Sequence, residues 1–398
     1  MKKIILFLFL IIPCISHAQM NIYEKNTNYI ISGVLNYSNC ADASSFDAEK
    51  RKDLELYEIF KSNFKQINQN YFLKDNQVTN ENVLNKIDEI ISLRNNDIFI
   101  FYFAGHGILK DGEPGMLMSD CTVIKKSELK NILKKKYNKQ KIILFGDFCY
   151  SGFLAEIARE LNSEGLDVHA ITSASSNVST GSWSYTQALI DSFSGRQIVD
   201  KNNNGLITFL DMITEVEEVM QNRERQKSDY FVTTDLKNTI ISNAKIKNKS
   251  NINYGSWFCS NEGITRVVDI TDSIYEVEYY RYNQYEYKKL NEIDLYSISE
   301  TEFEVGDLIS VDWENNSYDA KINKVDNIFY KITYLGWGEE WDEWITKNRI
   351  IGNKKVEIKS GEVWYPGEII QNKNNKFFIR YNGYDFCFDE WVDSSRIR

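Results

Sequence analysis

The chain has 398 residues, 42% of them hydrophobic, and a formal net charge of −10. This length and hydrophobic content are enough to bury sizeable cores in two or more domains. The acidic balance argues against a nucleic-acid-binding surface, so we expect no nucleic acid partner.

Residues 1–18 have the layout of a cleaved secretory signal peptide. Two lysines precede a short apolar run, residues 4–12, and "SHA" stands directly before Gln19. We expect a secreted or periplasmic mature protein with no membrane span after signal removal, because the apolar run is too short to cross a bilayer. Lipid attachment at Cys14 is the alternative; a proline stands before it where a small residue is usual.

Strand and helix patterns alternate over the next 220 residues or so. The segments "YIISGVLNY", "DIFIFYFAG" and "KIILFGDFC" are apolar throughout, as in a parallel sheet covered on both faces, and amphipathic segments such as "TNENVLNKIDEIISL" lie between them. The pattern predicts an α/β domain with a mostly parallel sheet over residues 19–245, with its functional residues at the carboxyl ends of strands.

Two reactive residues follow two of these strands. His106 comes at the end of "FYFAGHG", and Cys149 lies in "DFCYSG". If the strands are neighbours, their ends lie about 5 Å apart, so an imidazole and a thiol can face each other. A nearby imidazole increases the population of the reactive thiolate. Their shared position beside glycines favours a nucleophile–base pair over a buried structural cysteine and a capping histidine.

These two segments resemble the histidine and cysteine boxes of the caspase-like cysteine peptidases, closest to the metacaspase and bacterial caspase-domain branch. The resemblance implies a cysteine endopeptidase with Cys149 as the nucleophile and His106 as the general base and later acid. It further implies an oxyanion hole made by the backbone N–H groups of Gly107 and Cys149. A side chain at position 107 would obstruct the scissile carbonyl of a protein or peptide substrate.

The resemblance also implies a substrate preference. In relatives that cut after Arg or Lys, an aspartate two residues before the cysteine lines the S1 pocket, and Asp147 occupies that position. Ser176 and Asn177 stand where those relatives have further acidic residues. The alternative function is a catalytically inactive caspase-like scaffold that serves as a binding or adhesion protein.

The cysteine pattern gives no further site. Beyond Cys14, five cysteines remain at irregular spacing: Cys40, Cys121, Cys149, Cys259 and Cys387. We expect neither a disulfide framework nor a zinc site, and one leftover thiol in an oxidising compartment.

The segment "DKNNNGLITFLD" has the spacing of a calcium loop. Its oxygen donors are Asp200, Asn202, Asn204, Thr208 and Asp211, with a glycine at the sixth position. The aspartate at the twelfth position is shorter than the usual glutamate, which predicts weak affinity. The alternative is a turn that leads into a helix. The peptidase chemistry itself requires no cofactor.

The last 150 residues or so have a β-type pattern and an internal repeat. Residues 246–300 are expected to hold a linker and a degenerate barrel. Residues 301–351 and 352–398 form two copies at an ungapped period of 47, ending in "WDEWITKNRI" and "FDEWVDSSRI". Such short β-rich units predict small closed barrels, and these copies resemble chromo-barrel or Tudor-knot domains of the SH3-like type.

In relatives that bind methylated lysine, an aromatic cage holds the cation. Its positions correspond here to Trp313, Tyr318, Tyr334, Trp337 and Trp341. The resemblance implies a cationic peptide, a methylated-lysine-like ligand or a surface polymer as partner; the alternative is that the rings only pack the barrel. We expect Trp344 and Trp391 to lie in the barrel cores.

Overall fold

The structure is a computed structural model that describes residues 20–41, 43–47, 51–64, 69–94, 96–135, 137–174, 183–224, 226–245, 255–271, 274–281, 284–291, 303–313, 316–326 and 329–398. The predicted signal peptide, Ser176 and Asn177 lie outside the described residues. Within those ranges, no helix is long and apolar enough to cross a membrane.

The first part of the chain is an α/β domain. Its strands are β1 (Thr27–Gly33), β2 (Tyr71–Lys74), β3 (Ile98–Ala104), β4 (Gly107–Lys110), β5 (Glu113–Leu117), β6 (Val123–Lys125), β7 (Lys141–Asp147), β8 (Val168–Thr172), β9 (Leu206–Thr208), β10 (Asp229–Phe231) and β11 (Ile240–Asn243). Its helices are α1 (Lys52–Asn63), α2 (Asn80–Ile91), α3 (Lys126–Lys135), α4 (Phe153–Ser163), α5 (Ser184–Phe193), α6 (Phe209–Val219) and α7 (Thr234–Lys237).

The main sheet has six strands in the order β10-β8-β7-β3-β1-β2. All neighbours are parallel except β10, which runs antiparallel to β8 at one edge. Every residue of β3 is buried, because side chains alternate between two covered faces. Phe99, Phe101 and Phe103 enter one core, while Ile100 and Tyr102 enter the other. The predicted mostly parallel α/β architecture is confirmed.

Three small antiparallel sheets follow. The first sheet consists of β12 (Trp257–Ser260), β13 (Gly263–Thr271), β14 (Ile274–Arg281) and β15 (Gln284–Asn291). The second sheet consists of β16 (Leu308–Trp313), β17 (Asn316–Asp326), β18 (Phe329–Tyr334), β19 (Glu343–Thr346) and β20 (Ile350–Ile351). The third sheet consists of β21 (Lys354–Ser360), β22 (Val363–Lys373), β23 (Lys376–Tyr381) and β24 (Glu390–Val392). The first of them occupies the region in which we expected a linker and a degenerate barrel.

The 47-residue repeat is visible in the strands. β22 and β23 begin and end 47 residues after β17 and β18. The irregularity between Ile322 and Lys324 in β17 returns between Ile369 and Gln371 in β22. The two C-terminal sheets, which we call the first and second barrel repeats, therefore share the bounds of their two central strands and the position of one bulge.

The expectation of no disulfide framework was wrong. Cys40 pairs with Cys121 and Cys259 pairs with Cys387, each with Cα atoms 5.4 Å apart. The partners are 81 and 128 residues apart in the chain, so only the folded topology brings them together. Cys149 is the cysteine of the described residues that lies outside both disulfides, as the expected leftover thiol should.

Candidate active site and aromatic cage

His106 and Cys149 leave the sheet at equivalent points of two neighbouring strands. β3 and β7 pair in parallel, with Ala104 opposite Asp147 as the last pair. His106 follows Ala104 by two residues, and Cys149 follows Asp147 by two residues. The predicted dyad residues therefore emerge together at the carboxyl edge of the sheet, and both are partly exposed.

The imidazole of His106 is held by a loop that sequence reasoning missed. Its Nε2 lies 2.7 Å from the carbonyl oxygen of Ser44. Its ring packs against the rings of Tyr37 and Phe46, at centroid distances of 4.7 and 4.5 Å. A carbonyl oxygen only accepts hydrogen bonds, so Nε2 carries the proton of the neutral ring. Nδ1 is then the nitrogen that can accept a proton.

Tyr37 fixes the backbone beside this ring. Its hydroxyl accepts a hydrogen bond from the N–H of His106 (2.9 Å) and donates one to the carbonyl of Leu117 (3.1 Å). Burial raises the pKa of Tyr37 well above its ordinary value, so the hydroxyl stays protonated and keeps both roles. Gly105 has a φ of +154°, and a Cβ there would lie against the Tyr37 hydroxyl.

Cys149 stands at the start of a tight turn between β7 and α4. Tyr150 has a φ of +62°, a left-handed conformation that a non-glycine residue adopts at some energetic cost. The N–H of Ser151 donates to the carbonyl of Phe148 at 3.2 Å. The turn presents Cys149 above the sheet edge before the chain enters α4.

Gly107 packs directly against the backbone of Cys149. A Cβ at position 107 would overlap the Cys149 carbonyl, which is a different reason for glycine from the expected obstruction of a substrate carbonyl. The N–H of Leu117 donates to the carbonyl of His106, so Gly107 and its partner Met116 form a non-hydrogen-bonded pair. The N–H of Gly107 therefore points away from β5.

A second carboxyl, Glu224, acts electrostatically on Asp147, and no sequence motif marks it. The first turn of α5 holds both groups: the Thr186 hydroxyl donates to Asp147 at 2.5 Å, and the Ser184 hydroxyl donates to Glu224. Burial raises the pKa of Asp147 to about 6, and the charge of Glu224 adds to the rise. Glu224 ends a π-helical turn, Met220–Glu224, that continues α6; such turns are often found at functional sites.

The calcium-loop oxygens accept hydrogen bonds from their own loop. Asp200 accepts from the N–H groups of residues 204 and 205, and Asn202 and Asn204 each accept from the N–H two residues further on. Asp211 caps α6 by accepting from the N–H and hydroxyl of Thr208. The described residues contain no cluster of three or more His, Cys, Asp or Glu side chains that could hold a metal. These hydrogen bonds form a turn that leads into α6, and calcium binding by this loop stays a prediction.

The five predicted cage rings come together in the first barrel repeat. The ring of Trp313 lies 5.7 Å from Tyr318, 5.7 Å from Tyr334, 6.2 Å from Trp337 and 5.1 Å from Trp341. Tyr334 is 2% exposed, whereas Trp337 is 44% exposed. The cluster is therefore closed at the Tyr334 end and reaches solvent at the Trp337 side.

A buried ion pair supports the closed end. The Tyr334 hydroxyl donates to Glu343 at 2.6 Å, and Arg349 pairs with the same carboxylate at 2.7 Å. Arg349 also donates to the Tyr334 hydroxyl. The second repeat has the same arrangement with Tyr381, Glu390 and Arg396.

The expectation that Trp344 and Trp391 are core residues was wrong. The alternation of β19 turns Glu343 and Ile345 inward, which leaves Trp344 half-buried outside the barrel core. Trp344 lines a cleft of about 620 Å³ between β19 and α6. Trp391 is likewise half-buried, with its ring 5.3 Å from Phe378.

Known proteins match both parts of the chain. Residues 51–240 match the family model of the caspase domain, and residues 349–398 match the Tudor-knot model, described as the RNA binding activity-knot of a chromodomain. A NuA4 complex subunit EAF3 homolog of Dictyostelium discoideum is 40% identical over 58 residues, which are 12% of this chain and 15% of that protein. The chain thus spans a small part of that relative.

Two solved structures are also similar. The Drosophila initiator caspase Dronc has a TM-score of 0.36 and 13% identity, over 57% of this chain and 84% of Dronc. Protein GSU0716 of Geobacter sulfurreducens has a TM-score of 0.37 and 14% identity, over 55% of this chain and 100% of GSU0716. The two family matches confirm both resemblances drawn from the sequence. The chain contains a caspase domain, of the cysteine peptidase type, over residues 51–240 and a Tudor-knot domain over residues 349–398.

Proposed function

We propose that this chain is an exported cysteine endopeptidase that cleaves proteins with a His106–Cys149 dyad. The observation that carries the proposal is the placement of both residues two positions beyond the last paired residues of β3 and β7. The carbonyl of Ser44 adds an orienting partner for the imidazole. Cys149 also stays outside both disulfides, as a nucleophilic thiol must.

The chemistry follows from these positions. Nδ1 of His106 takes the proton of the Cys149 thiol, and the thiolate adds to the scissile carbonyl. The N–H groups of Gly107 and Cys149 donate to the oxyanion. The imidazolium then protonates the leaving amine, and water hydrolyses the thioester with His106 again as the base. No cofactor is needed for these steps.

Preference for Arg or Lys at P1 rests on Asp147 and Glu224. A carboxyl whose pKa is raised by burial and by the charge of a second carboxylate favours a cationic ligand, because a guanidinium or ammonium group relieves the repulsion between the two acidic groups. Glu224 supplies a second acidic group in a chain that has Ser176 and Asn177 where such relatives are acidic.

The barrel repeats would hold the enzyme on a cationic ligand. Trp313 and the four rings within 6.2 Å of it form a surface suited to a quaternary ammonium group such as that of trimethyl-lysine. Two disulfides fit an exported protein, since such bonds persist in oxidising compartments.

Hydrolysis of fluorogenic peptides that end in Arg or Lys tests the proposal. Cys149→Ala should abolish hydrolysis and leave the circular dichroism spectrum unchanged. A thiol-reactive substrate analogue with Arg at P1 should label wild type at Cys149. If wild type, assayed with and without calcium, neither hydrolyses the peptides nor reacts with the analogue, the chain is the inactive scaffold of the alternative.

A further inference from the structure

The loop of residues 34–47 supplies the side-chain and carbonyl groups that contact the His106 ring. Tyr37 and Phe46 give the two rings that pack against the imidazole, and Ser44 gives the carbonyl that accepts from Nε2. The described part of this loop contains no helix or strand. Ser44 is exposed, so water competes for both partners of this hydrogen bond. The loop is also held by hydrogen bonds within itself, from the N–H of Phe46 to the carbonyl of Leu35 at 2.8 Å, and by the bond from the Tyr37 hydroxyl to Leu117.

The Cys40–Cys121 disulfide joins this loop to a fixed turn. Cys40 lies between Tyr37 and Ser44 in the sequence, and Cys121 lies in the turn between β5 and β6. That turn is anchored to the domain core, because both the N–H and the hydroxyl of Ser119 donate to the carbonyl of Val78. The cross-link therefore ties the middle of the His106-contacting loop to a rigid point.

We propose that the Cys40–Cys121 disulfide positions the catalytic imidazole, which rests on the proposed peptidase function. It holds the loop so that the Ser44 carbonyl keeps His106 in the Nε2–H tautomer with Nδ1 toward the reaction. Without the cross-link the loop gains conformational freedom. The carbonyl then leaves Nε2, and both tautomers and several ring orientations become populated. Small displacements of a catalytic group lower turnover strongly.

The Cys40→Ser/Cys121→Ser variant tests this role by two readouts. Turnover of an Arg-terminated peptide should fall about tenfold or more in kcat with little change in KM. The ¹⁵N NMR spectrum of the His106 ring should report the Nε2–H tautomer in wild type and a mixture in the variant. A general loss of stability would not move the tautomer of a still-folded protein.

A matched control is available in the second disulfide. Cys259→Ser/Cys387→Ser removes a bond of the same kind that joins β12 to the segment before β24 and does not involve the loop, so its kcat and His106 spectrum should match those of wild type. If the Cys40→Ser/Cys121→Ser variant also matches wild type in both readouts, the positioning role is wrong. If wild type is inactive but the His106 spectrum still depends on the Cys40–Cys121 bond, the peptidase proposal fails and the positioning role stands.

Reduction gives the same comparison without a substitution, in case the variant does not fold. A phosphine and water convert the disulfide to two thiols and the phosphine to its oxide. Peptide mass spectrometry identifies samples in which Cys40 and Cys121 are reduced while circular dichroism is unchanged. In those samples kcat should fall, in contrast to the activation that reductants usually give a thiol enzyme. Unchanged kcat and an unchanged His106 spectrum after this reduction would overturn the inference.

Discussion

Asp147 is a carboxyl whose environment opposes its charge. Burial raises its pKa from 3.8 to about 6. The folded state therefore binds the proton more tightly than the unfolded chain does. Stability falls as the pH rises from about 4 through 6, and the full penalty is present above pH 6. Such conflict is common where a group awaits a ligand of opposite charge.

Replacing this carboxyl by an amide should stabilise the protein at neutral pH. Asp147→Asn removes the charge and keeps the shape, so Tm should rise by a few degrees at pH 7.5. Below pH 4 wild type is itself protonated at this position, and the two melting temperatures should converge. Differential scanning fluorimetry across this pH range checks the expectation. A lower Tm for the variant at pH 7.5 would mean that the Asp147 charge is stabilising and is already compensated by groups of the folded protein.

Asp147 and Glu224 should determine the preference for a basic residue at P1. Asp147→Asn and Glu224→Gln should each lower kcat/KM for Arg at P1 by about tenfold or more, since each removes a charged hydrogen-bond partner of the guanidinium. Substrates with an uncharged P1 residue should lose much less. Kinetics on matched peptides that differ only at P1 decide the matter: equal losses for all of them assign both residues to the fold.

At the scale of single elements, the two barrel repeats provide an internal comparison. Trp337 and Tyr384 occupy equivalent positions 47 residues apart, and both are exposed, at 44% and 46%. Trp337 belongs to a five-ring set. Tyr384 belongs to the four rings Tyr365, Tyr381, Tyr384 and Phe388, with Ser360 in the fifth position.

Trp337→Ala should weaken binding of a trimethyl-lysine peptide about tenfold, because one wall of the cage is lost. Tm should change little, since the ring is largely exposed. Tyr384→Ala is the matched control and should leave the affinity unchanged. Isothermal titration calorimetry with methylated and unmethylated peptides gives both numbers. If neither peptide binds wild type, or if the two variants bind the trimethyl-lysine peptide equally well, the rings of the first repeat only pack the barrel.

The elements also show what the sequence could and could not predict. The placement of His106 and Cys149 was predictable because each residue lies just beyond a buried strand. The clustering of the five rings was predictable because the first repeat resembles a type of domain whose relatives have an aromatic cage. The prediction for Trp344 was wrong because it rested on hydrophobicity alone. Glu343 occupies the inward position of β19 instead, where Arg349 is its partner. Glu224 was missed because it reaches Asp147 only through the packing of α5 and α6, which leaves no local signal.

At the scale of the whole molecule, charged groups join the caspase domain to the β12–β15 sheet. Arg266 of β13 forms a buried, two-pronged ion pair with Glu215 of α6, and Arg223 pairs with Glu278 of β14 at 2.7 Å. Both guanidinium groups lie over the ring of Trp257, at 5.1 and 5.7 Å. The caspase domain and the β12–β15 sheet therefore meet at an interface of paired charges.

The same sheet connects to the second barrel repeat. The Cys259–Cys387 disulfide crosses this contact, and the N–H of Ile264 donates to Asp385 at 2.9 Å. Trp257, Ile264 and Phe386 pack around the bond. The second barrel repeat is thus joined to the caspase domain through the β12–β15 sheet.

The stability of the contact between α6 and the β12–β15 sheet should depend on the charged partners of Glu215. Burial by itself would raise the pKa of Glu215, but Arg266 and Lys201 outweigh it and hold the pKa at about 2. Arg266→Met leaves this buried carboxylate with Lys201 as its partner at 3.1 Å. Removing one partner of a buried ion pair in this way lowers the free energy of unfolding by about 3–5 kcal/mol. The double variant Glu215→Leu/Arg266→Met should recover most of that loss, because it leaves neither member of this buried ion pair without the other.

Hydrogen exchange of β12–β15, corrected for the intrinsic rate at each pH, measures these differences. In wild type the ionised Glu215 carboxylate stabilises the folded state above pH 4.5, and this stabilisation is lost only as the pH falls toward 2. In Arg266→Met the carboxyl should instead prefer its neutral form, so protection of β12–β15 should increase between pH 7 and pH 4.5. Exchange of β3 and β7 should be unchanged, because the caspase core does not depend on this pair. Equal protection of β12–β15 in wild type and Arg266→Met would mean that apolar packing around Trp257, rather than the ion pair, holds the sheet against α6.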